Sequence, residues 1–278
     1  MASARAVVLI IAHKAALDPL EKISLIQCYR VLGRHPIRVV CPRGMNVDAY
    51  REVVPKIAFD FISPKWQRTY AGFNRLKVLP FLYRRYRAFE FILFYELDAF
   101  VFRDELDAWC QRGYDYVGAP WFDGVSGLRS SKVGVGNGGF SLRRVEAMLK
   151  VTRSFRWLDS PLRIAREKYW SKKRRIRGFA SMLLNATVRN NTFSWFNNWR
   201  GHEDVFWGEK VPQLFPWFRL APPEEAARFS FEEHPRRLHA EVGGLPFGCH
   251  AWAKYDPDYW RPYIQAAGYS LPTNGGGQ

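Results

Sequence analysis

The sequence predicts an α/β fold, a central sheet flanked by helices, and three observations carry that expectation. The run Val7-Val8-Leu9-Ile10-Ile11 is apolar at every position, as a strand covered on both faces requires. The first sixty or so residues alternate strand-like and helix-like segments in a β-α-β-α-β rhythm. A central strand, residues 89–95, runs straight into the carboxylates Glu96 and Asp98. In open α/β sheets ligands bind beyond the carboxyl ends of the strands, so two acids at that edge are placed for chemistry.

The elements follow in order. Asp18 caps a helix that Pro19 opens and that runs to about Leu32, with Gly33 ending it. Residues 37–40 form a second strand closed by Cys41-Pro42, residues 47–54 a short helix, and residues 56–62 a third strand. Residues 70–87 read helical with a break or kink at Pro80. A short helix at 104–111 and a strand at 114–118 precede the glycine-rich turn Gly134–Gly139 and a strand at 140–142. Residues 144–189 read as a basic, helical insertion. His202-Glu203-Asp204 opens another helix, residues 245–252 read as a strand or turn, and residues 258–267 as a last helix. The expected organisation is one domain over 1–272, an insertion at about 150–195, and a disordered tail over 273–278.

Length and composition suit this. The 278 residues are ample for a single core, and 47% are hydrophobic. No stretch reaches the roughly 18 apolar residues that span a bilayer. The N-terminal apolar run reads as a first strand rather than a signal peptide, so the expected location is the cytoplasm. Cys28, Cys41, Cys110 and Cys249 show no CxxC spacing and read as buried reduced thiols. The net charge of +16 calls for an anionic partner: a nucleotide, an anionic lipid surface, a nucleic acid or an acidic polysaccharide. Residues 150–189 hold twelve Lys/Arg against Asp159 and Glu167 alone, and so carry most of that excess.

Four constellations can carry chemistry. Glu96-x-Asp98 suits a hard divalent cation shared with phosphate, although a solvated acidic turn gives the same pattern. Glu203 and Asp204 stand at a helix start, where an acid serves equally as a dipole cap or as a proton acceptor. His250 is either a satisfied structural histidine or a third metal ligand. Gly136-Asn137-Gly138-Gly139 lets backbone approach a ligand, yet it is neither a dinucleotide fingerprint nor a P-loop, and a plain glycine turn is the ordinary reading.

The order of these pieces is more specific than any one of them. Tyr95–Phe102 (YELDAFVF), Tyr116–Trp121 (YVGAPW), Val135–Arg143 (VGNGGFSLR), Glu203–Trp207 (EDVFW) and Pro246–Trp252 (PFGCHAW) succeed one another. The series resembles a bacterial family, long labelled a domain of unknown function, that belongs with GT-A glycosyltransferases. The resemblance covers roughly residues 5–265 and leaves the basic insertion outside. It implies a GT-A, Rossmann-like nucleotide-diphospho-sugar transferase fold with a mixed central sheet. It implies that Asp98 and His250 bind Mn²⁺ or Mg²⁺, that Glu96 touches the metal site or the ribose, and that Asp204, with Glu203 beside it, is the catalytic base. Glu96 departs from the family's usual Asp. His13, at the end of the first strand, sits where GT-A folds receive the base; Asn74, Arg75 and Lys77 are placed to touch the donor nucleotide or its phosphates, although plain surface solvation explains them at least as well. Trp121, Asn137, Gly138, Gly139 and Trp207 are expected around the sugar and acceptor.

The function so expected is an inverting, metal-dependent transfer from a nucleotide sugar, a UDP-sugar by the habit of the fold, to a hydroxyl of a glycan or lipid-linked glycan in surface polysaccharide or lipopolysaccharide assembly. The basic insertion, with Lys172, Lys173, Arg174, Arg175 and Arg177 beside tryptophans, suggests peripheral contact with the inner face of an anionic membrane. A solvated charged face or an oligomer contact explains the same pattern, and nucleic acid ranks last because no nucleic-acid module accompanies the charge. The rivals are a retaining transferase on the same fold and a non-catalytic basic protein that binds membrane or nucleic acid.

Overall fold

A computed structural model describes residues 5–122, 132–163 and 183–271. The first strand is β1 (Ala6–Ile11), buried at all six positions. Next come α1 (Pro19–Leu32), β2 (Ile37–Pro42), α2 (Asp48–Val53) and β3 (Phe59–Ile62). The cap of α1 forms as its sequence requires: Asp18 accepts from the Leu20 and Glu21 amides, both at 2.9 Å, and Glu21 accepts from the Asp18 amide. Residues 70–87 divide at proline into α3 (Tyr70–Val78) and α4 (Pro80–Arg85), because Leu79 must be extended before Pro80.

The chain continues through β4 (Phe91–Tyr95), β5 (Phe100–Val101), α5 (Leu106–Gln111), β6 (Tyr116–Val117), β7 (Ala119–Phe122), β8 (Lys132–Gly136), β9 (Phe140–Arg144) and α6 (Val145–Arg153). After α7 (Thr192–Asn198) come α8 (Glu203–Val205), a π-helical turn at Phe206–Lys210, α9 (Val211–Leu214), α10 (Pro223–Phe229), β10 (Ser230–Phe231), α11 (Pro235–Val242), β11 (Gly248–Cys249) and α12 (Pro257–Ala266).

The main sheet has the order β3-β2-β1-β4-β9-β6. Strands β1 to β4 are mutually parallel, while β9 runs against both β4 and β6, so the sheet is mixed. Its middle strands β1 and β4 are covered on both faces, which is why neither alternates polar with apolar. Two small sheets, β10-β11-β5 and β7-β8, lie outside it.

Several boundaries are narrower than expected. The third strand starts at Phe59, not residue 56, and the strand expected at 114–118 is only Tyr116–Val117. The expectation of a helical insertion is corrected in part. Helix α6 stops at Arg153, Ser154 turns extended, and Trp157 bridges Asn191 in antiparallel fashion. The insertion's middle, including Lys172, Lys173, Arg174, Arg175 and Arg177, and the 273–278 tail lie outside the described residues. All four cysteines are buried and free, and burial pushes the Cys41 thiol up to about 11 and Cys110 to about 12. Among the described residues no helix is long and apolar enough to cross a membrane.

Candidate active site

Three short strands beside the end of β4 assemble the site. Strand β4 ends at Tyr95, and the chain turns through Glu96-Leu97-Asp98, with the Glu96 amide held by the Gly139 carbonyl at 2.7 Å and the Ala99 amide by Glu96 O at 2.9 Å. Strand β5 then pairs antiparallel with β11, Phe100 opposite Cys249, so the residue after Cys249 comes level with the acidic turn. That residue is His250. Strand β10 lies parallel on the other side of β11, Phe231 beside Cys249, which sets Glu232 next to His250. Helix α1 braces the turn from below: buried Ser24 and Gln27 donate to Ala99 O and Val101 O, each at 2.6 Å.

One potential ligand atom from each of Glu96, Asp98 and His250 lies within 4.8 Å of the others. Nε2 of His250 is 3.1 Å from Asp98 Oδ1 and 3.9 Å from Glu96 Oε2. Its Nδ1 is 2.9 Å from Glu232 Oε1. With Nδ1–H donated to Glu232, Nε2 presents its lone pair to the two carboxylates. Nε2 is also buried without a properly formed hydrogen bond, and a buried polar atom in that state needs a partner. A cation between the three groups would supply it. The donor set, one imidazole nitrogen, two carboxylates and an outer carboxylate orienting the histidine, fits a divalent metal. Burial drives the His250 pKa down, but Asp98 and Glu232 more than reverse this and hold it well above the usual imidazole range.

Behind the carboxylates lies a buried ionic network. Lys77, 1% exposed at its side chain, donates to Glu96 Oε1 and, at 3.0 Å, to the Gly138 carbonyl. It also stands 3.5 Å from Glu203 Oε1. Arg143, fully buried, reaches Glu203 Oε2 at 2.7 Å and sits over the Phe94 ring. Burial alone would raise the Glu203 pKa, yet Arg143 and Lys77 hold it below the ordinary value. Five carboxylates (Glu96, Asp98, Glu203, Asp204 and Glu232) thus face two permanent cations, an imbalance that attracts positive charge.

This geometry separates two neighbours that the sequence left together. Glu203, expected among the catalytic residues, is enclosed by Lys77, Arg143 and Gly138, and only 3% of its side chain is exposed. It is an enclosed anion paired with two buried cations. Asp204 is half-buried, and its pKa is raised by burial first and then by the charge of Glu203, with Glu232 adding to it.

Other expected residues fall on both sides of this division. His13 is exposed at the carboxyl end of β1, its ring 6.5 Å from Phe73, over which Lys77 Nζ lies. Asn74 is corrected from a donor contact: it is 5% exposed and its Oδ1 accepts the Glu203 amide at 2.9 Å, so it caps α8. Arg75 points along the other flank of α3 and donates to Asn197 O at 3.0 Å. Trp207 is corrected from a pocket wall: it is fully buried and donates to Lys77 O. Trp121 is half-buried, its ring against Gly136.

Asn137 is buried at φ 79°, and its Oδ1 accepts the Gly139 amide at 2.8 Å, which shapes the turn. The next two glycines are required by what touches them. A Cβ on Gly138 would meet Glu203 Oε1 at 2.0 Å, and one on Gly139 would meet His250 Nε2 at 2.0 Å. Ala251, next to His250, is left-handed at φ 49°, a conformation alanine rarely adopts and one that clusters at functional sites. Glu232 is the residue that sequence reading missed; an acid pair, Glu232-Glu233, before a proline helix looks like any solvated turn. A cleft of about 760 Å³ beside Phe89, Glu90 and Lys150 opens at the opposite end of β4, away from these groups.

A family model described as "Protein of unknown function (DUF5672)" matches residues 56–250. No curated protein sequence matches the chain. Among solved structures, a galactosyltransferase LgtC with donor and acceptor sugar analogues is 13% identical, with a TM-score of 0.44 over 96% of this chain and 97% of that one. Mouse xyloside xylosyltransferase 1 is 12% identical, with a TM-score of 0.46 over 87% and 96%. Core-mannan synthase A from Aspergillus fumigatus, in its Mn/GDP form, is 10% identical, with a TM-score of 0.40 over 74% and 72%. Likeness at this distance transfers no residue's role.

Proposed function

The chain belongs to the DUF5672 family of proteins of unknown function, and we propose that it is a GT-A-type glycosyltransferase that uses a divalent cation, Mn²⁺ or Mg²⁺, to hold a nucleotide-sugar donor. One observation carries this reading. The motif order implied a shared metal for Glu96, Asp98 and His250, the last of them distant in sequence from the first two, and their ligating atoms lie together at a sheet edge. Glu232 behind His250 supports it further, since a metal-binding histidine is oriented by an outer carboxylate.

In this reading Glu96, Asp98 and His250 hold the cation. When bound, it offsets the negative charge that grows on the departing diphosphate. Lys77 keeps Glu96 in place and cancels part of its charge. His13, exposed at the end of β1, contacts the nucleotide. Asp204 accepts the proton of the acceptor hydroxyl as its oxygen bonds to the anomeric carbon and the nucleoside diphosphate leaves with the electrons of the broken bond. One such displacement inverts the anomeric carbon. Trp121 and the 137–139 turn border the sugar.

The acceptor we propose is a glycan or lipid-linked glycan of surface-polysaccharide or lipopolysaccharide type, with a UDP-sugar as donor and the enzyme working at the cytoplasmic face of an anionic membrane. The described flanks of the basic insertion support a membrane contact: Phe155, Leu162, Val188 and Phe193 are 59–82% exposed, beside Arg153, Arg156, Arg163 and Arg189.

The test is a panel of nucleotide sugars with Mn²⁺ and a glycan acceptor, read as released nucleoside diphosphate and as the anomeric configuration of the product. Metal-dependent release with inverted product supports the proposal. Retained configuration would replace Asp204's role with that of the retaining rival. No release from any donor, with tight binding to anionic vesicles, would leave a non-catalytic binding protein.

A further inference from the structure

Helix α3 has two working flanks. Asn74 and Lys77 face the carboxylate site, whereas Gly72 and Arg75 line a separate cleft of about 370 Å³. Lys65, Arg75 and Arg200 supply three cations to this cleft, and Trp66 and Trp199 supply two aromatic walls. No acid lines it. None of these three cations enters an ion pair among the described residues, unlike many arginines elsewhere in the fold. Arg75 Nη2 is spent on Asn197 O at 3.0 Å, but its Nε is buried with no hydrogen-bond partner. Buried guanidinium donors are rarely left so, and uncompensated charge in a concave, ring-lined site asks for an anion that carries a flat apolar face.

The cleft is joined to the candidate base through two short segments. Asn74, beside Arg75, holds the Glu203 amide, and Trp199 Nε1 donates to the His202 carbonyl at 3.1 Å. A ligand in the cleft therefore lies along the chain segment that carries Asp204.

We propose that this cleft is a binding site for a phosphorylated sugar, its phosphate on Arg75, Arg200 and Lys65 and its ring against Trp66 and Trp199. The site is distinct from the metal cluster. Its role as the seat of a phosphate-bearing acceptor rests on the transferase reading; the binding itself does not.

The experiment is titration calorimetry on the full chain in EDTA, with glucose 1-phosphate, glucose and inorganic phosphate as probes. Glucose 1-phosphate binds more tightly than either of the other two. Arg200→Ala and Lys65→Ala each weaken it about tenfold, as loss of a charge-assisted contact does. Asp98→Asn leaves it unchanged, so a failed transferase reading would not be mistaken for a failed cleft. No binding of glucose 1-phosphate at millimolar concentration overturns the proposal. So does equal affinity for inorganic phosphate, because the rings would then contribute nothing. A third contrary result is loss of phosphatidylglycerol-vesicle binding in Arg200→Ala and Lys65→Ala with sugar-phosphate affinity unchanged, which would assign the cations to a lipid headgroup.

Discussion

Glu232 Oε1 lies 2.9 Å from Nδ1 of His250, so one ring nitrogen is occupied and the other is turned toward Glu96 and Asp98. The pair depends on β10 and β11 lying parallel with Phe231 beside Cys249. Glu232→Gln keeps a hydrogen bond but removes the charge that makes the imidazole a stronger ligand. Its Mn²⁺ affinity, measured by calorimetry, should fall about 10- to 100-fold, the usual effect of losing such an outer carboxylate. The folded structure should be retained, with an unchanged circular dichroism spectrum.

Gly139→Ala should act on the same histidine from the other side. Its Cβ would stand 2.0 Å from His250 Nε2, so the ring must leave its place. We expect Mn²⁺ binding to be lost, with a stability cost of about 1–3 kcal/mol from overpacking. Denaturant unfolding and metal titration of the same variant check both halves.

The ionic core should be costly to break. Lys77 and Glu203 are nearly inaccessible, and Lys77→Met strips Glu96 and Glu203 of a shared cation. Removing one partner from a buried ion pair costs about 3–5 kcal/mol, because the remaining charge stays desolvated. Urea unfolding should show a loss of that order. A Lys77→Met protein as stable as the parent would mean that the network is not closed to water.

The pH dependence has a definite sign. A carboxylate base works only when ionised, and burial together with the Glu203 charge raises the Asp204 pKa above the ordinary aspartate value. The transfer rate should therefore fall, as pH drops, at a higher pH than an exposed aspartate would give. Glu203→Gln removes the neighbouring charge and should move that acid limb to lower pH. Asp204→Asn should cost about 10²–10⁴ in kcat. The profile of kcat/KM against pH for the parent and Glu203→Gln is the readout.

How far the sequence foretold these features varies with the kind of signal. Strands β1 and β4 were legible because burial on both faces leaves an unbroken apolar run. The α1 cap and the division at Pro80 were legible because Asp, Glu and Pro act locally. Glu96, Asp98 and His250 were legible only through the order of motifs. Strands β5, β10 and β11 are two residues long, too short for any periodicity, and they bring His250 and Glu232 together. Glu203 and Asp204 carry the same local signal at a helix start, and only their surroundings distinguish an enclosed, ion-paired anion from a half-buried carboxylate. Lys77 read as a surface cation near phosphate, because a lysine's burial depends on partners such as Glu96 and Gly138 that are distant in sequence. Trp207 read as a pocket wall for the same reason, and lies wholly in the core.

In the proposed function Glu96, Asp98 and His250 hold a divalent cation that in turn recruits a nucleoside diphosphate. Titrating UDP into the protein by calorimetry, with Mn²⁺ and then with EDTA, in the parent and in Asp98→Asn, tests it most directly. UDP should bind with Mn²⁺, EDTA should abolish binding, and Asp98→Asn should weaken it at least about tenfold, a difference of roughly 1.4 kcal/mol. UDP affinity indifferent to both EDTA and Asp98→Asn, in a folded protein, would contradict it.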